Sequence, residues 1–339
     1  MDEITDLLPE QMSFRLRPRE TNYGYSDLYG SMQLACRYTG KKYNDSLFNF
    51  FWNHGCAPPW QNLHPVAITF GFQNKKAKYF VAREDQKKLL QNHGFEDVHA
   101  IGMPIVYVPQ QNIQRKAGSL LIMPPHILKS TEAQSSSQEE DYMNSIKDQL
   151  GSFNDVYACV SPICLEKGMW TKTFEKYGIK ILSGASQNDS FALNRMAGLF
   201  SFFETVTSPS FGSHIPYALY FGSKVSIWGH YQEAKKDYSR DATWRQIPEI
   251  AQKFLDPKWR KEQEQAVFSK HYVPPKQAVY DKDLGAQFLG ADHKRSPEEL
   301  NALFGWNTMK MALIKTKTYY TRAINSRWGK RIVSYLPGE

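Results

Sequence analysis

The sequence predicts an α/β protein built as two successive units, and three observations carry that prediction. Short apolar runs bounded by Gly, Pro and Asn alternate with longer stretches whose apolar residues recur at helical spacing. The connections between them are short, which is the grammar of a parallel sheet with crossover helices. The chain has 339 residues, enough for two domains of roughly 100–200 residues each.

In the first unit, taken as residues 1–115, Leu28–Tyr38 carries small and apolar residues at helical spacing, and Lys41–Asn44 breaks the pattern. Ser46–Trp52 is an aromatic strand that leads into a loop containing Gly55, Pro58 and Pro59. Val66–Phe70 and Lys78–Ala82 read as buried strands. Arg83–Asn92 is a charged, Leu-bearing helix stopped by Gly94, and Val98–Ile101 and Val106–Val108 read as short strands around Gly102-Met103-Pro104.

The second unit is taken as residues 116–300. Its first strand is Leu120–Met123, ended by Pro124-Pro125, since proline cannot continue a ladder. A polar, low-complexity stretch, Ser130–Glu140, precedes a helix over Asp141–Leu150. Strands are then expected at Val156–Val160, Ile179–Leu182, Val206-Thr207 and Val225–Trp228, with helices at Glu166–Tyr177, Asp189–Phe203 and Pro216–Phe221. Residues beyond 230 read mostly as helices and loops, ending in a basic tail over 301–339. Two α/β units joined near Pro109–Ala117 imply a cleft between them.

Composition narrows the function classes. The chain is 41% hydrophobic and 22% charged, which excludes wholesale disorder and collagen-like repeats. There is no 18-residue uncharged apolar run, and the acidic N-terminus lacks the pattern of a secretory signal. Four cysteines make no disulfide framework, and Cys159-x4-Cys164 has no second pair to complete a zinc site. These features point to a cytoplasmic protein with reduced thiols. The net charge of +8 suits an anionic partner. Between Lys310 and Arg331 seven basic residues stand without an acidic one, interleaved with Tyr319, Tyr320 and Trp328. That segment reads either as a solvated basic face or as a contact to an anionic membrane surface. Because the excess charge is concentrated there rather than along a groove with stacking aromatics, nucleic acid is not the expected partner.

In open α/β sheets ligands bind beyond the carboxyl ends of the strands, so the chemistry is sought in post-strand loops. Ser208-Pro209-Ser210-Phe211-Gly212-Ser213-His214 is the most informative of these. Small hydroxyl residues and glycine leading into a helix leave backbone N–H groups free for a phosphate, which makes Ser210, Gly212, Ser213 and His214 candidate donor-binding residues. The plainer account makes Ser213 an ordinary N-cap. His126, after Pro124-Pro125, is a further donor-binding candidate or a surface histidine. Asp189, at the head of a helix, is either an N-cap or a carboxylate facing the cleft. In the first unit, His54 within Trp52-Asn53-His54-Gly55 is a candidate general base, with Asp27 as a second candidate. There is no P-loop, G-x-G-x-x-G, H-E-x-x-H or G-x-S-x-G. Asp281-Lys282-Asp283 spells D-x-D but follows no apolar strand, so no metal and no cofactor is expected.

With these residues in view, the chain resembles bacterial GT-B type glycosyltransferases of capsule and lipopolysaccharide biosynthesis. The likeness runs through Trp52–Gly55, Phe80–Arg83, Gly102–Tyr107 and Leu121–His126, and is strongest over Phe203–Gly229, with Gly212–Gly222 similar to that family's phosphate-side loop and helix. The resemblance implies two Rossmann-like domains facing across a cleft, the first for a glycan or lipid-linked acceptor and the second for a nucleotide-sugar donor. It also implies a C-terminal helix crossing back towards the first domain. Some stretches are similar to enzymes that use cytidine-monophosphate-linked keto sugars. A departure is the short lead of about 50 residues before Trp52, where similar sequences often have more. The expected activity is transfer of a hexose or keto sugar in surface polysaccharide assembly, on the inner face of the cytoplasmic membrane. The alternatives are a nucleotide-sugar epimerase or glycerol-phosphate transferase of the same fold, or a non-catalytic nucleic-acid- or glycan-binding protein.

Overall fold

The structure, a computed structural model, describes residues 28–43, 50–69, 74–110, 112–125, 136–230 and 247–306. Helix α1 (Ser31–Thr39) precedes a parallel sheet of three strands: β1 (Phe50–Trp52), β2 (Lys78–Val81) and β3 (Asp97–Ala100), in spatial order β1-β2-β3. Register pairs Phe51 with Tyr79 and Tyr79 with Val98, so these three share one face. There they form a core with Ile68, Leu90 and Phe95. Trp52, Phe80 and His99 line the opposite face, where Phe304 packs edge-on against Trp52 and Phe80.

Two expected strands of the first unit are helical. Pro65–Thr69, the described part of the run Val66–Phe70, forms the short helix α2. Its β-branched content favours a strand, but β1 and β2 are parallel neighbours and the chain between them must cross over. Pro65 starts that crossover without losing a donor, and the Val66 N–H donates to His64 Nδ1 at 3.3 Å. The expected strand Val106–Val108 is instead part of a 3-10 turn over Pro104–Tyr107, again set by proline at its first position. Helix α3 (Glu84–Asn92) forms as expected.

The second sheet holds β4 (Lys116–Ile122), β5 (Asp155–Val160), β6 (Lys180–Ser183), β7 (Phe203–Ser208) and β8 (Lys224–Ile227), all parallel, in the order β6-β5-β4-β7-β8. Helix α4 (Ser136–Leu150) begins earlier than its sequence pattern suggests. The helix expected over Glu166–Tyr177 is broken into α5 (Pro162–Glu166) and α6 (Thr171–Lys176). Gly168 and Trp170 between them have φ of 69° and 67°, which no continuous helix allows. The turn is held by the buried Glu139 carboxylate, which accepts from the Trp170 N–H at 2.8 Å and the Thr173 hydroxyl at 2.7 Å. Helices α7 (Ala192–Phe202) and α8 (His214–Tyr220) complete the alternation.

Beyond the second sheet come α9 (Pro248–Leu255), α10 (Pro257–Phe268), α11 (Lys282–Leu289) and α12 (Pro297–Phe304). This C-terminal stretch returns to the first sheet. The Met103 N–H donates to the Leu289 carbonyl at 2.9 Å, Arg83 Nη1 to the Phe288 carbonyl at 3.0 Å, and Lys78 Nζ to the Leu303 carbonyl at 2.8 Å. Phe304 stacks on Phe50 with ring centroids 4.4 Å apart. One buried apolar cluster therefore runs from Trp52 and Phe80 through Met103 and Phe288 to Leu121 and Val206. The result is an α/β fold with two parallel sheets, compatible with Rossmann-like units. Among the described residues no helix is long and apolar enough to cross a membrane. The basic residues from Lys310 to Arg331 lie outside the described residues.

Candidate functional site

The order β6-β5-β4-β7-β8 reverses direction between β4 and β7. From β4 the chain builds outward through β5 and β6, then returns to add β7 and β8 on the other side. At such a switch point the two post-strand loops part in opposite directions and leave a crevice at the carboxyl ends. The post-β4 loop starts at Met123, whose N–H donates to the Thr207 carbonyl at 2.8 Å, and runs through Pro124-Pro125. His126, next in that loop, lies outside the described residues. The post-β7 loop is Pro209–Ser213, so Ser210, Gly212, Ser213 and His214 all stand at this edge.

The local fold of the post-β7 loop differs from simple capping. Ser213 has helical backbone angles (φ −57°, ψ −23°) and its side chain makes no capping hydrogen bond to α8. Its hydroxyl accepts instead from the Cys56 N–H at 3.0 Å, a bond between the two units. His214 folds back over Gly212: a Cβ there would lie 2.7 Å from the imidazole Cε1, so a larger residue at 212 would displace the ring. The Ser208 hydroxyl donates to the Ser210 carbonyl at 3.0 Å and tightens the same turn.

His54 is brought against this loop. The Asn53 N–H continues the sheet by donating to the Phe80 carbonyl at 2.9 Å, and the Asn53 side-chain oxygen accepts from the Gly55 N–H at 2.9 Å. The Tyr217 hydroxyl in α8 then donates to the His54 carbonyl at 3.2 Å. On the other side the Tyr29 ring lies 5.6 Å from the imidazole of His54. Tyr29 has a φ of 59° and donates its N–H to the Gln187 carbonyl at 2.9 Å, which ties the turn after Asp27 to the post-β6 loop. Asp27 itself is outside the described residues.

Asp189 in the post-β6 loop is fully buried and ion-paired. One carboxylate oxygen accepts from the Phe191 N–H at 2.9 Å, and the other from Arg195 Nη2 at 3.1 Å, with Arg195 itself 1% exposed. Asp189 is therefore not the N-cap, a place taken by Phe191 without a side-chain cap; its carboxylate instead closes a local turn ahead of the helix and joins a buried charge pair that shapes the loop on which Tyr29 rests.

The electrostatics of the junction are set by burial. Desolvation lowers the His54 pKa to about 4, so the ring is neutral at physiological pH. Burial raises the Cys56 thiol to about 12 and also raises the phenols of Tyr29 and Tyr217, so burial favours the protonated form of all three. No group of three or more metal-ligating side chains occurs among the described residues. Asp281 of the D-x-D triplet caps α11, accepting from the Leu284 N–H at 3.1 Å.

Of the post-strand loops chosen from the sequence, those carrying His54 and Ser210–His214 thus meet directly, and the Asp189 loop is linked to them through Tyr29. Sequence reasoning missed Tyr29, Cys56 and Tyr217, which bind the loops together. Tyr29 adjoins the candidate Asp27 and Cys56 the His54 loop, but Tyr217 sits within an apolar helix that reads only as core. Two cavities lie elsewhere: one of about 330 Å³ between the first sheet and the C-terminal stretch, lined by His99 and Arg295 among others, and one of about 320 Å³ on the first unit. Comparison with protein-family models, curated proteins and solved structures gives no significant match to this chain, so its functional reading stands on this geometry.

Proposed function

We propose that the protein is a metal-independent glycosyltransferase, moving a sugar from a nucleotide-sugar donor to a glycan or lipid-linked acceptor of surface polysaccharide assembly. In this reading the two sheets are the facing halves of a GT-B arrangement. The observation that carries it is the convergence at the switch point: the Cys56 N–H on the Ser213 hydroxyl holds the His54 loop of one sheet against the phosphate-side loop of the other.

The donor phosphates lie along Ser210, Gly212 and His214, with His126 as a further donor-binding residue. Neutral His54 is the general base that takes the acceptor's proton, and the incoming anion raises its low pKa toward the working range. Asp27 is the alternative base. Asp189 acts as a positioning residue through Arg195, and the basic tail supplies contact with anionic headgroups at the inner membrane face. Because these loops are packed together, donor binding parts them.

The test is a thermal-shift panel of CMP, CDP, UDP, GDP and their sugar conjugates. A ligand at a hundredfold excess over Kd stabilises the native state by about 2.7 kcal/mol. A shift with one nucleobase is expected, followed by sugar transfer only when acceptor is added. No shift with any nucleotide refutes the reading; conversion of the sugar nucleotide without acceptor replaces it with an epimerase.

A further inference from the structure

The cavity of about 320 Å³ is bounded by Thr69 at the end of α2, by Lys75 just ahead of β2, and by His93 and Phe95 just ahead of β3. Parallel strands share their polarity, so this is the N-terminal edge of the first sheet, opposite the edge that carries His54. Its floor is apolar, made by buried Pro65, Val66 and Phe95. Thr69, beside them in the lining, brings a polar atom. Thr69 is 0% exposed, and its hydroxyl has no hydrogen-bond partner among the described residues, not even the carbonyl one turn back that a helical threonine commonly uses. A fully buried hydroxyl left this way is destabilising unless something in the cavity pairs with it.

The rim is cationic or neutral. The His64 and His93 rings stand 5.6 Å apart, Lys75 lies beside them, and among the described residues no carboxylate lines the space. Glu249, in the first turn of α9, is the acidic group that acts on His64, and it favours the protonated ring, while burial and His93 oppose it. The turns that carry these groups are fixed to each other, the Glu96 N–H donating to the Lys75 carbonyl at 3.0 Å.

We propose that this cavity binds a small organic anion with an apolar body: its negative group at the Lys75, His64 and His93 rim, and a hydrogen-bonding atom at its inner end on Thr69. Since a cavity of roughly 150 Å³ accepts benzene, this one takes a single ring with a substituent at each end. The inference does not rest on the transferase reading, because it concerns the other edge of the sheet and is read without activity.

Titration of the full chain with 4-hydroxybenzoate, benzoate and 4-hydroxybenzyl alcohol, followed by the ring nitrogen resonances of the histidines, tests it. In the native protein 4-hydroxybenzoate shifts His64 and His93 saturably and binds about tenfold more tightly than either analogue, the worth of one hydrogen bond or one charge contact. Thr69→Val makes 4-hydroxybenzoate and benzoate equal, and raises the melting temperature of the free protein. Lys75→Gln, at an exposed position, makes 4-hydroxybenzoate and the alcohol equal whether or not the Thr69 variant folds. No saturable shift with any probe, or shifts that both variants leave unchanged, overturns the proposal and leaves only water in the cavity.

Discussion

At the scale of single residues the decisive groups are buried and charged or titratable. Asp189 and Arg195 face each other at 0% and 1% side-chain exposure. Removing one partner strands the other charge without water, so Asp189→Ala and Arg195→Ala are each expected to cost about 3–5 kcal/mol in denaturant unfolding. The double replacement Asp189→Leu with Arg195→Met should recover much of that loss; equal or greater loss would show that the pair itself is favourable. His54 makes a pH prediction. Its pKa falls from 6.5 to about 4 on folding because burial disfavours the imidazolium. The unfolded chain then binds more protons through this window, so stability is intact above pH 6.5 and falls as the pH drops towards 4. The native protein should lose roughly 3 kcal/mol more over that interval than His54→Gln. His64 and His271, whose pKa values are also lowered, are common to both proteins and cancel in the difference.

Elements show where local preference yields to connection. Val66–Thr69 has the composition of a strand, and only its place between two parallel neighbours makes it a crossover helix. Strands β2, β3, β5 and β6 were legible because each is a short apolar run closed by a turn residue. The break between α5 and α6 was not, since the φ of 67° at Trp170 comes from burying its ring against Tyr142 and Phe174 rather than from its own sequence preference. Gly290 closes α11 with a φ of 62°, and a Cβ there would run into the Ala82 carbonyl of the first sheet. Gly290→Ala is therefore expected to cost more than about 1 kcal/mol. It should also raise hydrogen exchange at Met103, whose N–H bonds to Leu289. Unchanged protection at Met103 would show that the return of the C-terminal stretch does not depend on this close approach.

For the whole molecule, the shared core is the main physical fact. Side chains from both sheets and from α11 and α12 belong to one buried cluster, with Trp52, Phe80 and Phe304 in edge contact. Units joined through an apolar core lose their stability together. Calorimetry is expected to show a single transition whose van't Hoff and calorimetric enthalpies agree. Two resolved transitions would mean that the sheets fold as separate bodies held by the polar contacts alone.

The sequence by itself determined the class of fold, the alternation of elements and the loops in which polar residues follow strands, because hydrophobic periodicity and turn residues act over a few neighbours. His54, Asp189 and Ser210–His214 could be chosen on that ground. Tertiary structure alone decided the order β6-β5-β4-β7-β8, which sets β4 and β7 side by side at the point where the strand order reverses. It alone joined Ser213 to Cys56 and Tyr217 to His54, and paired Asp189 with Arg195. It also gathered His64, Thr69, Lys75 and His93 around one cavity. These contacts depend on which strands pair and where the chain returns, and that is fixed by burial summed over the whole core rather than by any local run of residues.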